Sequence, residues 1–385
     1  MNGLWYYAIA FAIIWAIALI FKSKLTNHGL EVNFPLLMWK TKRLRGFIDR
    51  LANLSPKFWR WFMNIGIFIS FGAMIVMTYL LLSSLSTIFE TPSVSLVIPG
   101  VEIPGSPIYI PFVYGIIGLA TVLIVHEFSH GILSRVEKIN IKSIGLLLFA
   151  VLPGAFVEPD EDDMNKAKKT SRMRVYAAGS IANISLFVVA FLITMSISSF
   201  VIPETFHEDG IQIERVLEGT PSYNILQPGM IIESLNGQNI TDGDTYSNAI
   251  STLKPNEIIN VTTDRGDYSF KAGQNPNNNS LGYMGVQAVK NYEINDNIDN
   301  TYGNTLPWVW FSILELFNWI AFLNLAIGLF NLLPMKPLDG GHLLEELLDY
   351  KLPENIVKPI VTLISSFMIF IIAISLVAGF AGGLF

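Results

Sequence analysis

Six stretches of this chain, each of about 20 residues, carry almost no charge, and each is long enough as a helix to cross a hydrocarbon core of roughly 30 Å. They fall at about residues 3–21, 61–82, 111–133, 175–201, 308–333 and 357–380. The expected fold is therefore a polytopic α-helical membrane protein with about six transmembrane helices. Composition agrees: hydrophobic residues make up an ordinary 51% of the chain, but charged ones only 15%, against about 25% in a soluble domain. The mean hydropathy is +0.47. An ordinary cytosolic enzyme is excluded, and a net charge of −6 argues against a nucleic-acid partner. There are no cysteines, so any metal must be held by His, Asp or Glu. The first apolar stretch lacks a basic leading region and a small-residue cleavage site, and reads as a membrane helix rather than a signal peptide.

Basic residues orient the spans. Segment 22–60 holds nine Lys or Arg, including Lys40, Lys42, Arg43 and Arg45, and segment 134–174 holds eight, including Lys166, Lys168, Lys169 and Arg172, while segment 83–110 holds none. The first two are expected on the cytoplasmic side and the third outside. The same count puts both termini and segment 202–307 outside. That segment has five basic and fourteen acidic residues. Trp308, Trp310 and Trp319 suit the interfacial start and upper part of the fifth span.

Segment 203–290 reads as a small, mostly β domain. Short alternating runs at 211–216, 230–235, 257–262 and 268–272 are bounded by turn signals such as Pro228-Gly229, Asn236-Gly237 and Arg265-Gly266. A helix fits at about 245–253. Segments 274–280 and 291–304 are polar and Asn-rich and are expected to be loops or linkers. The order Gly210-Ile-Gln-Ile-Glu-Arg-Val, Gly219-Thr-Pro, Leu226-Gln-Pro-Gly-Met-Ile-Ile-Glu-Ser-Leu-Asn-Gly, then a helix, resembles a PDZ domain of the protease-associated type. The resemblance implies either peptide binding by strand addition or a steric filter.

The third span contains His126-Glu127-Phe128-Ser129-His130. Histidines at i and i+4 lie on one helix face, one turn apart. Their imidazoles can chelate one Zn²⁺, with Glu127 beside it as general base. Two His and an unpaired Glu in an apolar helix are costly and usually face a polar cavity. The alternative is a polar cluster for packing or proton transfer. A third ligand is sought after the fifth span, in Asn331-Leu-Leu-Pro334-Met-Lys-Pro337-Leu-Asp339-Gly340-Gly341-His342. Pro334 and Pro337 break or kink the helix, and the two glycines permit unusual torsions and close approach. Asp339 is either that ligand or the cap of the next helix.

Together, His126-Glu-Phe-Ser-His130 and Asn331-x-x-Pro334-x-x-x-x-Asp339-Gly340 resemble the site-2 protease family of intramembrane zinc metalloproteases, over about residues 111–345. The resemblance implies one Zn²⁺ per chain on His126, His130 and Asp339, with Glu127 as catalytic acid/base. It implies substrate handling by Asn331 and Pro334. Ala178-Gly179-Ser180-Ile181-Ala182-Asn183 resembles the family's Gly-x-x-x-Asn signature, with Ser180 where Pro is common, and adds Asn183. The apolar segment 144–159, with Pro153-Gly154 as its expected turn, is too short to span. It resembles the family's membrane-dipping β-hairpin, whose edge, with Gly154, would pair with an unwound substrate. His342 is expected at a helix start, His28 and His207 in polar loops, and Lys336 near the cytoplasmic interface. Glu315 is expected to pair with Asn318, face the interior or lie at the interface.

The implied organisation is a two-helix extension with a cytoplasmic loop (1–110), a first core half (111–202), an extracytoplasmic PDZ-like domain (203–290), a linker and core helix ending in Asp-Gly (291–345), and a last transmembrane helix (346–385). The implied partners are the lipid bilayer and a transmembrane protein substrate, pre-trimmed outside by another protease in two-step regulated proteolysis. The active site is expected in the cytoplasmic half of the cell membrane. Two rivals are a zinc-binding scaffold or chaperone working through the PDZ-like domain, and an ion transporter using the His-Glu-His relay. The second predicts paired broken helices, and no inverted repeat is visible in the sequence.

Overall fold

The computed structural model describes residues 3–41, 44–88, 94–103, 106, 108–276 and 278–382. Lys42 and Arg43 of the orienting basic set lie outside the described residues. Among the described residues, five helices are long and apolar enough to cross a membrane: Pro56–Thr87, Phe112–Val136, Lys169–Thr205, Leu306–Phe330 and Glu354–Gly379. This is consistent with a polytopic helical membrane protein. The first expected span is shorter than the others. Its helix, Leu4–Ile20, has 17 residues, about 25 Å of rise. Phe21 leaves helical geometry (φ −100°) before the polar helix Lys22–Asn27 begins.

The chain divides into two compact units. The first comprises Met1–Thr194 and Glu315–Phe385. Its centre is the helix Phe112–Val136, which carries the two histidines. Gly131 brings this helix against Ile48 of the helix Arg45–Leu54; a Cβ there would lie 2.9 Å from Ile48 Cδ1. Two contacts set the helix Val309–Phe330 alongside it and parallel to it. Gly118 faces Leu323, and Asn324 Nδ2 donates to Thr121 Oγ1 at 3.0 Å. Both chains then advance together, the first toward His126 and the second toward Asp339.

A four-stranded antiparallel sheet flanks the histidine helix, in the order Leu30–Asn33, Leu36–Thr41, Ile141–Phe149, Leu152–Pro159. The expected hairpin turn at Pro153-Gly154 is corrected. The connection is Ala150-Val151, with Phe149 opposite Leu152, and Pro153 and Gly154 lie within the second strand opposite Leu148 and Leu147. Proline is tolerated there because that strand is at the sheet edge. Glycine fits because Leu147 fills the place of its side chain, 2.6 Å from a would-be Cβ. The first two strands had no expectation attached to them. They are short, Leu30-Glu-Val-Asn and Leu36-Leu-Met-Trp-Lys-Thr, and lie in a segment otherwise rich in basic residues.

The second unit is Met195–Leu314. Its six-stranded sheet runs in the order Val286–Ile294, Phe206–Val216, Ile231–Leu235, Ile258–Thr263, Gly266–Lys271, with Gln238–Asn239 beside Ile231–Leu235. Ile213, Ile232 and Ile259 are fully buried at its centre. The helix Gly243–Ser251 begins with a capping box between Asp242 and Thr245. The expected loops are corrected. Gly273–Asn275 and Asn278–Tyr283 form a two-stranded ladder, Val286–Ile294 continues through Tyr292 and Glu293 opposite Glu208 and His207, and Asp296–Tyr302 is helical. These segments are largely exposed and are held by main-chain pairing, which their polar composition does not reveal.

Candidate metal centre

The α-helical repeat places His126 and His130 on one face of Phe112–Val136, with ring centroids 4.8 Å apart. The helix Val309–Phe330 stops at Phe330, and a series of turns carries the chain through the buried Pro334 to Leu338. Asp339 is the first residue of the next helix, Asp339–Leu348, whose cap position is Leu338. Its carboxylate makes no cap and turns toward the histidines. Asp339 Oδ2 lies 3.4 Å from His126 Nε2, and Oδ1 lies 3.5 Å from His130 Nε2. One ligand atom from each of the three residues lies within 4.8 Å of the others.

Close packing explains the glycines after Asp339. A side chain at Gly340 would strike the Leu332 carbonyl, and one at Gly341 the Met335 main chain. Neither has the positive φ that the sequence also allowed for. Gly340 N–H donates to Asn331 O at 2.8 Å, closing the loop on itself.

A third helix, Lys169–Ser196, completes the cluster. Its Gly179 lies so close that a Cβ would be 2.5 Å from His130 Nε2 and 2.6 Å from His126 Nε2. Ser180 Oγ donates to Asp339 Oδ2 at 3.1 Å, and His130 Nδ1 is 2.7 Å from Val175 O. A carbonyl only accepts, so Nδ1 of His130 holds a proton, and in the neutral ring Nε2 is the nitrogen left with a lone pair. Asn183, fully buried, sets its amide Nδ2 3.2 Å from His126 Nδ1, and its Oδ1 has no partner among the described residues. Glu127, beside the histidines, accepts from Val157 N–H of the sheet's edge strand at 2.8 Å.

Asn331 is half-buried and donates through Nδ2 to Ile327 O at 3.1 Å. Gly154 lies in the edge strand, three residues before Val157. His342 stacks on Tyr176 with centroids 4.8 Å apart. Lys336 pairs with Glu345 at 2.5 Å, which keeps its charge at the loop surface. Glu315 and Asn318 are exposed. His28 Nδ1 bonds to Lys24 O, and His207 Nδ1 bonds to Asn295 Oδ1. Sequence reasoning missed the main-chain contributions of Val157 and Val175 and the contact of Ser180 with Asp339. Only Ser180 left a trace, as a departure from the signature.

The family model described as peptidase family M50 matches residues 114–372. An uncharacterized protein of Methanocaldococcus jannaschii is 33% identical over 237 residues, covering 60% of this chain and 56% of that protein. A protein of Arabidopsis thaliana named membrane-bound transcription factor site-2 protease homolog is 24% identical over 124 residues, 32% of this chain and 24% of that one. A further Arabidopsis protein, named as a probable chloroplastic membrane metalloprotease, is 24% identical over 304 residues, 58% of this chain and 68% of its own. The chain thus spans 56% of the archaeal relative's length and 24% of the first plant relative's.

Proposed function

This chain belongs to peptidase family M50, and we propose that it is a zinc-dependent intramembrane endopeptidase that hydrolyses peptide bonds within transmembrane segments of protein substrates. The observation that carries the reading is the convergence of His126, His130 and Asp339 from two helices, with Glu127 beside them.

The donor set fits the ion. Two imidazoles and one carboxylate are the ligand number of a catalytic site that keeps a position open. Ligands about 2.0–2.1 Å from a tetrahedral ion stand roughly 3.3 Å from one another; Asp339 comes to 3.4 Å from His126 through Oδ2 and to 3.5 Å from His130 through Oδ1, and one ligand atom from each residue lies within 4.8 Å of the others, so binding an ion would draw the three inward. Gly179 presents no side chain to either Nε2 atom, where a Cβ would lie only 2.5 and 2.6 Å away. His126 fits once the Asn183 amide is turned end for end. Its orphaned Oδ1 then accepts from Nδ1–H, and Nε2 presents its lone pair. Asn183 thus orients a ligand, a role different from the substrate contact its sequence signature implies.

A bound zinc ion supplies Lewis-acid polarisation of a carbonyl and a lowered pKa for water. Glu127 takes the proton from the attacking water and later delivers it to the leaving amine. Val157 N–H holds one carboxylate oxygen, leaving the other for that transfer. Asn331, Pro334 and Gly154 are assigned to substrate handling. The basic segments 22–60 and 134–174 support an active site toward the cytoplasmic half of the cell membrane. The same rule supports an extracytoplasmic place for the β domain, about residues 203–290, here assigned as PDZ-like and as a filter for substrates already trimmed outside. The remaining chain is assigned as a two-helix extension (1–110), two core halves (111–202 and 291–345) and a last transmembrane helix (346–385).

The test is cleavage of a helix-destabilised transmembrane reporter by the purified protein in detergent, with and without a chelator, beside Glu127→Gln. Chelator-sensitive cleavage that the variant loses while retaining zinc supports the protease. Full zinc binding with no cleavage of any transmembrane reporter favours a scaffold instead.

A further inference from the structure

The turn joining the two strands nearest the candidate site is held from outside the hairpin. Phe149 and Leu152 pair directly, so Ala150 and Val151 form a two-residue connection. Ala150 takes φ 56°, a left-handed conformation that such turns normally give to glycine. A non-glycine residue there persists only where its surroundings over-determine it. Two contacts do so. Ala150 N–H donates to Pro35 O at 2.8 Å, and the Trp15 indole Nε1 donates to Ala150 O at 2.9 Å. Trp15 is 3% exposed, and its ring packs edge-on against Phe34 at 4.9 Å.

Both contacts come from residues that precede the family-matched segment 114–372. Among the described residues, the strand that leaves the turn, Leu152–Pro159, pairs on one side only. Antiparallel ladders alternate, so the bonded pairs Phe149–Leu152, Leu147–Gly154 and Gly145–Phe156 leave the main-chain groups of Pro153, Ala155 and Val157 on the open edge. The Val157 N–H on Glu127 fixes that phase. Pro153 has no N–H, so Ala155 offers the nearest complete donor and acceptor.

We propose that Trp15 is a positioning residue for substrate. Through Ala150, the N-terminal helix holds the open edge of Leu152–Pro159 where an extended substrate segment can pair at Ala155, beside Glu127. The proposal rests on the protease reading. It assigns a working role to a helix that lies outside the matched family segment.

The experiment uses the full chain in detergent with the transmembrane reporter. Trp15→Phe keeps a ring and removes the donor. Trp15→Phe/Ala150→Gly also removes the need for it, because glycine adopts the turn without strain. Zinc content, KM, kcat and amide exchange across residues 150–157 are read together. A lost hydrogen bond predicts a rise in KM of about fivefold for Trp15→Phe, with kcat within about twofold and zinc unchanged. Exchange across 150–157 should quicken by about tenfold, and the double variant should recover both. Unchanged KM and exchange in Trp15→Phe, or no recovery in the double variant, would overturn the proposal. If the wild-type chain cleaves no reporter, the protease reading fails on its own. Exchange still decides whether Trp15 holds the edge.

Discussion

Gly179 lies against His130 with no room for a methyl group between them: a Cβ on Gly179 would sit 2.5 Å from His130 Nε2, and 2.6 Å from His126 Nε2. A helix that supplies no ligand of its own therefore sets the wall of the site. Gly179→Ala should cost about 1–3 kcal/mol of overpacking and should lower zinc affinity, because both imidazoles must move. Gly72→Ala, at a glycine with nothing within 4 Å, is the control. Zinc titration and thermal unfolding of the two variants check this. Full zinc affinity in Gly179→Ala would mean the imidazoles have freedom the packing does not suggest.

Asn183 separates orientation from substrate contact. Asn183→Leu should weaken zinc binding by about 10–100-fold, the usual cost of losing a partner behind a metal-bound histidine. Asn183→Asp keeps an acceptor for His126 Nδ1–H and should recover most of that loss. Competition against a calibrated chelator measures both. A loss of reporter affinity with zinc affinity intact would return Asn183 to the substrate.

Arg172 grips Glu346 with two bonds of 2.6 and 2.7 Å and so ties the helix bearing Gly179 to the helix bearing Asp339. Glu346 is buried. Removing one partner leaves a charge stranded, so Arg172→Met should destabilise by about 3–5 kcal/mol, whereas Arg172→Met with Glu346→Leu should cost much less. Chemical unfolding in detergent gives the comparison, and equal losses in the single and double variants would contradict it.

Glu137 gives a pH dependence with a definite sign. Burial alone would raise its carboxyl, but the Ser171 hydroxyl at 2.6 Å and the guanidinium groups of Arg60 and Arg174 at 3.0 Å outweigh burial and hold it below its ordinary value of 4.5. A depressed folded-state pKa means stability that is fully present above the unfolded value and lost as pH falls through the folded one. At pH 7 the wild type should therefore exceed Glu137→Gln by about 1.5–3 kcal/mol, the range for hydrogen bonds to a charged group. The gap should narrow only below about pH 4.5. A gap that closes between pH 7 and 5 would point to a different group.

The histidines were legible because helical spacing is a local rule: residues four apart share a face whatever surrounds them. The spans were legible for a similar reason, since length and lack of charge are properties of a segment alone. The edge strand was less so. Pro153-Gly154 has the chemistry of a turn, yet the chain turns at Ala150-Val151, because Pro35 and Trp15 hold a conformation that Ala150 would not choose by itself. The Asn-rich stretches after residue 273 look like loops because their strands bury little and are held by main-chain bonds.

The sequence by itself determined which groups could bind a cation, since His126, Glu127, His130 and Asp339 carry that chemistry wherever they fold, and that the first three lie in one apolar helix. Only the tertiary structure decided how they meet. The Nδ1 atoms of His130 and His126 meet Val175 O and the Asn183 amide, the carboxylate of Asp339 is steadied by Ser180, and Glu127 is held by Val157. None of those partners is near its target in sequence. Their contribution depends on distance and direction in space, which three packed helices and one sheet edge set together.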